Sequence, residues 1–295
     1  MARHGLSRPA GAIQYQEPPT HGRWMEDRFT GNLRLTLEIP EGQFVTPSTG
    51  RLTLTTKGKE DVVAQEVARA AGLPVIPGSG IKGAVRTIYE LLSFSCNPFI
   101  RSSCKPQWCC DACSLFGRLG RSGRLSFDDA RPVTPESVRI EVREVPTPWP
   151  PRKAVGDVSL YDLQKAKEFD RDRKVFVERT GNLSREVFLG TFETRMTFWN
   201  ATSEELGRLL LSMGIGADTS TRFFLRLGGV KYDGKGAVTV QPRELTLATP
   251  ARKTLKDDGC REETARWIEA AQASDWAAIF GPKLIEVVEL LRSTP

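Results

Sequence analysis

Residues 75–92 read VIPGSGIKGAVRTIYELL. Within them, Gly78-Ser79-Gly80-Ile81-Lys82-Gly83 has the form G-x-G-x-x-G. After a buried strand, that form marks the phosphate turn of a doubly wound dinucleotide fold, with an acidic residue about 20 positions on to hold a ribose. The preceding segment here is only LPVIP, residues 73–77, with prolines at 74 and 77. The chain beyond the helix enters a cysteine cluster, not a second parallel strand. A Walker loop fails as well, because Gly83 follows Lys82 in place of Ser or Thr. What remains is a glycine-punctuated turn into an amphipathic helix. Ile81, Val85, Ile88 and Leu92 share one face, Lys82 and Arg86 another, and Ser79 is the expected N-cap. The helix N-terminus, the close backbone approach allowed by Gly78 and Gly80, and the two cations together favour a bound phosphate.

Outward from this helix, strands and helices mix without regular alternation. LRLTLEI, residues 33–39, alternates as a strand does. The polar stretch TTKGKEDVVAQEVARAAG, residues 55–72, reads as part helical. RLSFDDA and SVRIEVREV read as strands, the second ending in a Pro-rich turn. Further strands are expected near Val175–Glu178 and Thr191–Trp199. SEELGRLLLSMGIG is a capped helix ending in glycine, and a strand, a Gly-rich loop and another strand follow. The tail is helical, with an interruption expected at Gly281-Pro282. The pattern predicts an α+β fold.

Composition narrows the chemistry. With 295 residues there is room for one large domain or two modest ones, and the net charge of +6 tilts only slightly toward polyanions. No apolar run approaches the ~18 residues of a membrane span, and no apolar signal core follows the N-terminal charges, so a cytoplasmic protein is expected. Five of six cysteines lie between Cys96 and Cys113. Cys110 and Cys113 form a C-x-x-C which, with Cys96 and Cys104, supplies four thiolates for a structural zinc ion; Cys109 is the spare. Free or redox-active thiols are the alternative, and Cys260 reads as a small buried residue. The only histidines, His4 and His21, lie near the N-terminus, so any catalysis falls to carboxylates or lysines, with Glu60 and Asp61 as loop candidates. LGGVKYDGKG, residues 227–236, offers Lys231, Tyr232 and Lys235 to a nucleic-acid backbone. Arginines 118, 121 and 124, and 179 and 185, lie among glycines that would let them grip phosphates.

Taken in order, these motifs resemble those of the RAMP superfamily, the repeat-associated proteins of CRISPR effector complexes. IPGSGIKGAVR (76–86), CDACSLFGRLGRSGRLSFDDA (110–130), VERTGNLSREVFLGTFETRMTF (177–198) and RLGGVKYDGKGAVTV (226–240) carry the resemblance, from about Leu33 to Val240. It implies a ferredoxin-like, RRM-type core with helical insertions, a zinc-binding cysteine segment and a thumb-like hairpin. The implied domain spans 33–245, with a cysteine insertion at 93–117 and a thumb-like insertion at 142–175. An arm (1–32) precedes it, and a helical segment (246–295) packs on it. VREVPTPWPPRKAVGDV, Val142–Val158, is the thumb candidate.

The implied role is the repeated guide-RNA-binding backbone subunit of a type III or type III-derived complex. Its partners would be target RNA, copies of itself and other effector subunits. RNA-binding candidates are Ser79, Lys82, Arg86, Arg121, Arg179, Lys231 and Lys235. Slicing members of the family carry an aspartate about fifteen residues before the I-P-G-S motif, and Asp61 stands 15 positions before Ile76. Slicing would make the chain an endoribonuclease, with Mg or another divalent ion at Asp61 and attack by an RNA 2′-hydroxyl. The alternatives are an inactive RNA-binding scaffold and, less favoured for want of histidines, a CRISPR RNA-processing endoribonuclease.

Overall fold

The computed structural model describes residues 6–7, 12–19, 21–96, 104–146, 157–158, 167–170, 175–178, 182–216, 218–231, 234–248 and 252–292. In chain order the main elements are β1 (Phe29–Glu38), β2 (Ser48–Lys57), β3 (Glu60–Val67), α1 (Gly78–Leu91) and α2 (Asp111–Phe116). Then come β4 (Leu125–Phe127), β5 (Arg131–Pro132), β6 (Val138–Pro146), β7 (Asn182–Ala201) and α3 (Ser203–Ser212). The chain closes with β8 (Leu225–Arg226), β9 (Ala237–Leu247), β10 (Lys253–Lys256), α4 (Asp257–Ala273) and α5 (Asp275–Arg292). The fold is mixed α+β, with a curled sheet and five α-helices among the described residues.

Alternation sets the centre. On β1, Leu33, Leu35 and Leu37 are buried while Arg34 and Glu38 are exposed, so one face of the strand must be covered. β1 pairs antiparallel with β7 on one side and β9 on the other, and β4 pairs antiparallel with the far edge of β7. The resulting order is β9–β1–β7–β4. α1 leads into β4, and α3 leads from β7 toward β9. Their apolar faces join the three leucines in one core. α4 packs on α3, where a side chain at Gly207 would meet the Trp267 carbonyl at 1.9 Å, and α5 packs on α4. Trp276 Nε1 donates to the Leu92 carbonyl at 2.7 Å, tying α5 to the end of α1.

β7 runs for 20 residues because different strands line its two halves. Residues 191–198 pair with β1, and residues 182–190 pair with β6. The change of partner falls at Gly190, where φ is +110° and a side chain would meet the Ser137 carbonyl at 1.9 Å. The hairpin β2–β3 joins the N-terminal half of β7. Glu186 of β7 holds the end of β3, accepting from Val67 N at 3.1 Å and from both terminal nitrogens of Arg69.

Two expectations change. Residues 48–67 are a β-hairpin with a two-residue turn at Gly58-Lys59, not part helix. Leu52, Leu54 and Val63 stay exposed on it, so burial gave no periodic signal. The tail is not interrupted at Gly281-Pro282. α5 passes through Pro282, and the break falls at Ser274. Pro282 removes one backbone donor, and buried Trp276, Phe280, Leu284 and Val287 hold the helix on both sides of it. Of the thumb candidate, residues 147–156 lie outside the described residues; β6 leads into it, and Asp157–Val158 pairs with Leu6–Ser7.

Arg124, fully buried, donates to Glu205, to the Asn200 carbonyl at 2.7 Å and to Ser114 Oγ at 3.0 Å. Glu205 also closes a capping box with Thr202 at the start of α3. Burial pushes the Glu205 carboxyl up, but the charge and hydrogen bonds of Arg124 outweigh it and hold the group below its ordinary value of 4.5. Glu205→Gln leaves a buried cation short of its partner and should cost about 3–5 kcal/mol in chemical denaturation. Since the folded pKa is depressed, this contribution is present above the ordinary carboxylate range and lost as pH falls through the folded value. The stability difference between wild type and variant should therefore shrink on acidification.

Candidate metal centre and nucleic-acid interface

Cys96 follows α1, Cys104 begins the next described segment, Cys110 is the N-cap residue of α2 and Cys113 lies in its first turn. All four are buried, and their sulfurs lie within 4.8 Å of one another. A tetrahedral ion with metal–sulfur bonds of about 2.3 Å needs sulfurs somewhat closer than that limit, and Cys96 and Cys113 are already 3.5 Å apart. Backbone N–H groups donate into the cluster, from Cys110 to Cys104 Sγ at 3.2 Å and from Cys96 to Cys110 Sγ at 3.4 Å. Such donors stabilise thiolates. Contacts with Cys110 and Cys96, and then burial, push the Cys113 thiol up, and a central cation reverses that pressure. The residues therefore fit a metal ion. Cys109 lies outside the quartet, in a short ladder with Tyr15–Gln16, and burial first and then Cys104 push its thiol up to about 11. Cys260 is buried in the main core.

The glycine-led helix is built differently from expectation. Pro77, not Ser79, holds the N-cap position, and Asp129 Oδ1 accepts from Gly78 N at 2.8 Å. A side chain at Gly78 would meet the Phe127 carbonyl at 2.2 Å, so this glycine permits helix–strand contact. Ser79, Gly80 and Gly83 are exposed, and nothing lies within 4 Å of where a side chain on either glycine would begin. Lys82 donates to the Leu125 carbonyl at 2.7 Å, and burial, then Arg86, lower its pKa. Arg86 bonds Glu90 at 2.7 Å and the Gly117 carbonyl at 3.0 Å, and approaches Cys113 Sγ at 3.7 Å. Its charge thus faces the sulfur cluster. Arg121 donates to the Pro19 and Pro106 carbonyls and ties the N-terminal segment to the cysteine loop. Arg124 is enclosed and out of reach of any phosphate. Arg179 lies outside the described residues.

Segments distant in sequence meet around Phe44. Lys235 Nζ and Arg143 Cζ each lie 5.8 Å from its ring centroid. Lys235 also donates to the Gly42 carbonyl at 3.4 Å. Gly229 N donates to the Thr46 carbonyl at 3.0 Å, and a side chain at Gly229 would meet a terminal nitrogen of Arg185 at 3.0 Å. Gly228 has φ +86° and would crowd Thr46 N at 2.8 Å. These glycines let the loop lie against both partners. Lys231, half-buried in the same loop, has its pKa lowered by burial. Phe44, Val145, Val187 and Val230 form a small separate core beneath the cluster. Tyr232 lies outside the described residues. Phe44 belongs to no glycine-rich or cationic motif, and Arg143, inside the thumb candidate, was not among the expected RNA contacts.

Asp61 is exposed on β3, opposite Thr56, whose hydroxyl donates to its Oδ1 at 3.2 Å. Glu60 is also exposed and pairs in register with Lys57. Among the described residues, the Cys quartet is the only group of three or more ligating side chains close enough to hold an ion. Among the described residues, no such group includes Asp61.

No helix among the described residues is long and apolar enough to cross a membrane. The family model of the RAMP superfamily matches residues 44–239, about two thirds of the chain. No curated protein matches it.

Elemental analysis of the purified chain should find about one divalent metal ion per chain. Cys96→Ser and Cys113→Ser should lose it and lower Tm, whereas Cys109→Ser should retain it. A metal-free chain of undiminished stability would refute the site.

Proposed function

The chain belongs to the RAMP superfamily, and from that premise we propose that it is a guide-RNA-binding backbone subunit of a type III-like CRISPR effector complex. Its partners are the guide, target RNA, further copies of the chain and other effector subunits. The sheet order β9–β1–β7–β4, with crossover helices α1 and α3, supports a ferredoxin-like core. The observation that carries the RNA reading is the convergence of Lys231, Lys235 and Arg143, the last also paired with Glu141 at 2.7 Å, near Phe44 and the glycine loop, with buried Arg185 beneath Gly229.

In that cluster the Phe44 ring orients two cations, and the partial burial of Lys231 reduces solvent screening of its charge toward a phosphate. Ser79 and the open glycine positions of α1 would let the RNA backbone approach a helix N-terminus. Lys82, Arg86 and Arg121 would act mainly by fixing the segments that frame this surface, since each is already bonded within the chain. The metal at Cys96, Cys104, Cys110 and Cys113 is read as zinc, a structural cross-link between α1 and α2.

For target cleavage, the Asp61 carboxylate would accept the proton of an RNA 2′-hydroxyl. The 2′-oxygen then bonds to the adjacent phosphorus, the 5′-oxygen leaves as a hydroxyl by taking a proton from water, and a cyclic phosphate remains. The second reading is a scaffold that binds RNA without cutting it.

Reconstitution on guide RNA, followed by complementary RNA and Mg²⁺, separates these readings. Regular fragments from wild type that vanish with Asp61→Ala would establish slicing through Asp61. Fragments that persist would exclude Asp61, and none from either would leave the scaffold. Arg143→Ala/Lys235→Ala should weaken guide binding uniformly across sequences and reduce the salt slope by about two. Unchanged affinity and slope would overturn the interface.

A further inference from the structure

Residues 92–96, LSFSC, join the end of α1 to the first cysteine of the quartet. The same residues seat the N-terminal part of α5. The Leu92 carbonyl belongs to a helix end, where intrahelical donors run out, and Trp276 Nε1 supplies a donor at 2.7 Å. Phe280 meets two rings, its centroid 4.8 Å from that of Phe94 and 6.2 Å from that of Trp276. Phe94 stands two positions before Cys96, so the seat of α5 and a metal ligand share one short tether.

α5 is not held evenly. Ser274 breaks the helical path before it, and Pro282 offers no N–H to the Ala278 carbonyl within it. These two points mark off residues 275–281. The buried side chains of that piece are Trp276 and Phe280, the two that rest on residues 92–94. So short a helix does not persist in water without tertiary contacts. The remainder of α5 has separate anchors. Phe224 N donates to the Leu291 carbonyl at 3.3 Å, Arg292 donates to the Thr219 carbonyl, and Leu284, Val287, Val288 and Leu291 are buried.

At the quartet, Ala112 N donates to Ser95 Oγ at 3.3 Å and Cys96 N donates to Cys110 Sγ at 3.4 Å. Such bonds are individually modest, whereas a metal–thiolate bond at Cys96 would pin the tether to α2 with the binding free energy of the ion. We propose that residues 275–281 form a metal-dependent latch, closed on residues 92–94 while the quartet is loaded and open once the ion is lost. Opening bares Trp276 and Phe280, while α4 and the rest of α5 stay in place. The latch rests on the metal reading of the quartet and is independent of the proposed RNA interface.

Hydrogen–deuterium exchange of the full chain tests this, with metal content measured on the same samples. Wild type is compared zinc-loaded, after removal of the ion by a chelator under reducing conditions, and after zinc is restored. Removal should speed exchange at residues 275–281 about tenfold or more, leave residues 203–212 and 285–292 within about twofold, and be reversed by zinc. Phe280→Ala should keep its ion yet exchange fast at 275–281 whether loaded or stripped, with thermal unfolding to check its fold. Cys109→Ser, outside the quartet, should behave as wild type. Equal acceleration in every helix, unchanged exchange at 275–281 after the ion is lost, or metal-dependent protection that survives in Phe280→Ala would overturn the latch. A chain that holds no ion would remove the metal site itself, and the latch with it.

Discussion

A guanidinium without access to solvent, that of Arg124, organises this molecule. A buried cation must be paired and its donors satisfied. Here Glu205 of α3 supplies the charge, while Ser114 of α2 and the Asn200 carbonyl at the end of β7 take further donors. One side chain therefore fixes the cysteine segment, the second crossover helix and the longest strand relative to one another. A second pair runs beside it. Arg208 donates to Asp111 at 2.6 Å, and the Tyr89 hydroxyl donates to the same carboxylate at 2.9 Å. Asp111 stands between Cys110 and Ala112, so the thiol cluster is bolted to α1 and α3 through charge as well as packing.

This arrangement explains which parts of the chain are readable in advance. The alternating leucines of β1, the apolar stripe of α1 and the crowding of cysteines are local patterns, and each has one economical physical solution. Arg124 is the opposite case. Its neighbours, LGRSGRL, suggest a phosphate grip, but its partner lies 81 residues further on. Nothing local records that pairing. Ser79 fails as an N-cap for a similar reason, since a carboxylate from Asp129 reaches the helix start first. The hairpin at 48–67 was hidden because Leu52, Leu54 and Val63 are exposed, and burial is what gives sequence periodicity its meaning. The basic cluster was half legible. Lys231 and Lys235 announce themselves in a glycine loop, whereas Phe44, in the loop after β1, and Arg143 of β6 meet only in the fold.

The glycines of residues 78–83 divide between two tasks, and the division sharpens what that stretch can do. Gly78 is required by the fold, because Phe127 lies where its side chain would be. Gly80 and Gly83 have no such neighbour. A glycine that packs against nothing among the described residues gains no packing there from lacking a side chain, whereas a ligand lying close to the backbone would use it. The two cations of the same helix behave in the reverse sense. They look like ligand groups but are held by Leu125, Glu90 and Gly117. Contact with an RNA backbone at this turn would therefore rest on bare peptide groups and the helix terminus, with Arg86 acting at a distance by countering the charge of the sulfurs. That links the two candidate centres. A divalent ion among four thiolates leaves a net negative charge beside α1, and Arg86 is the residue placed to offset it where a phosphate would otherwise be repelled.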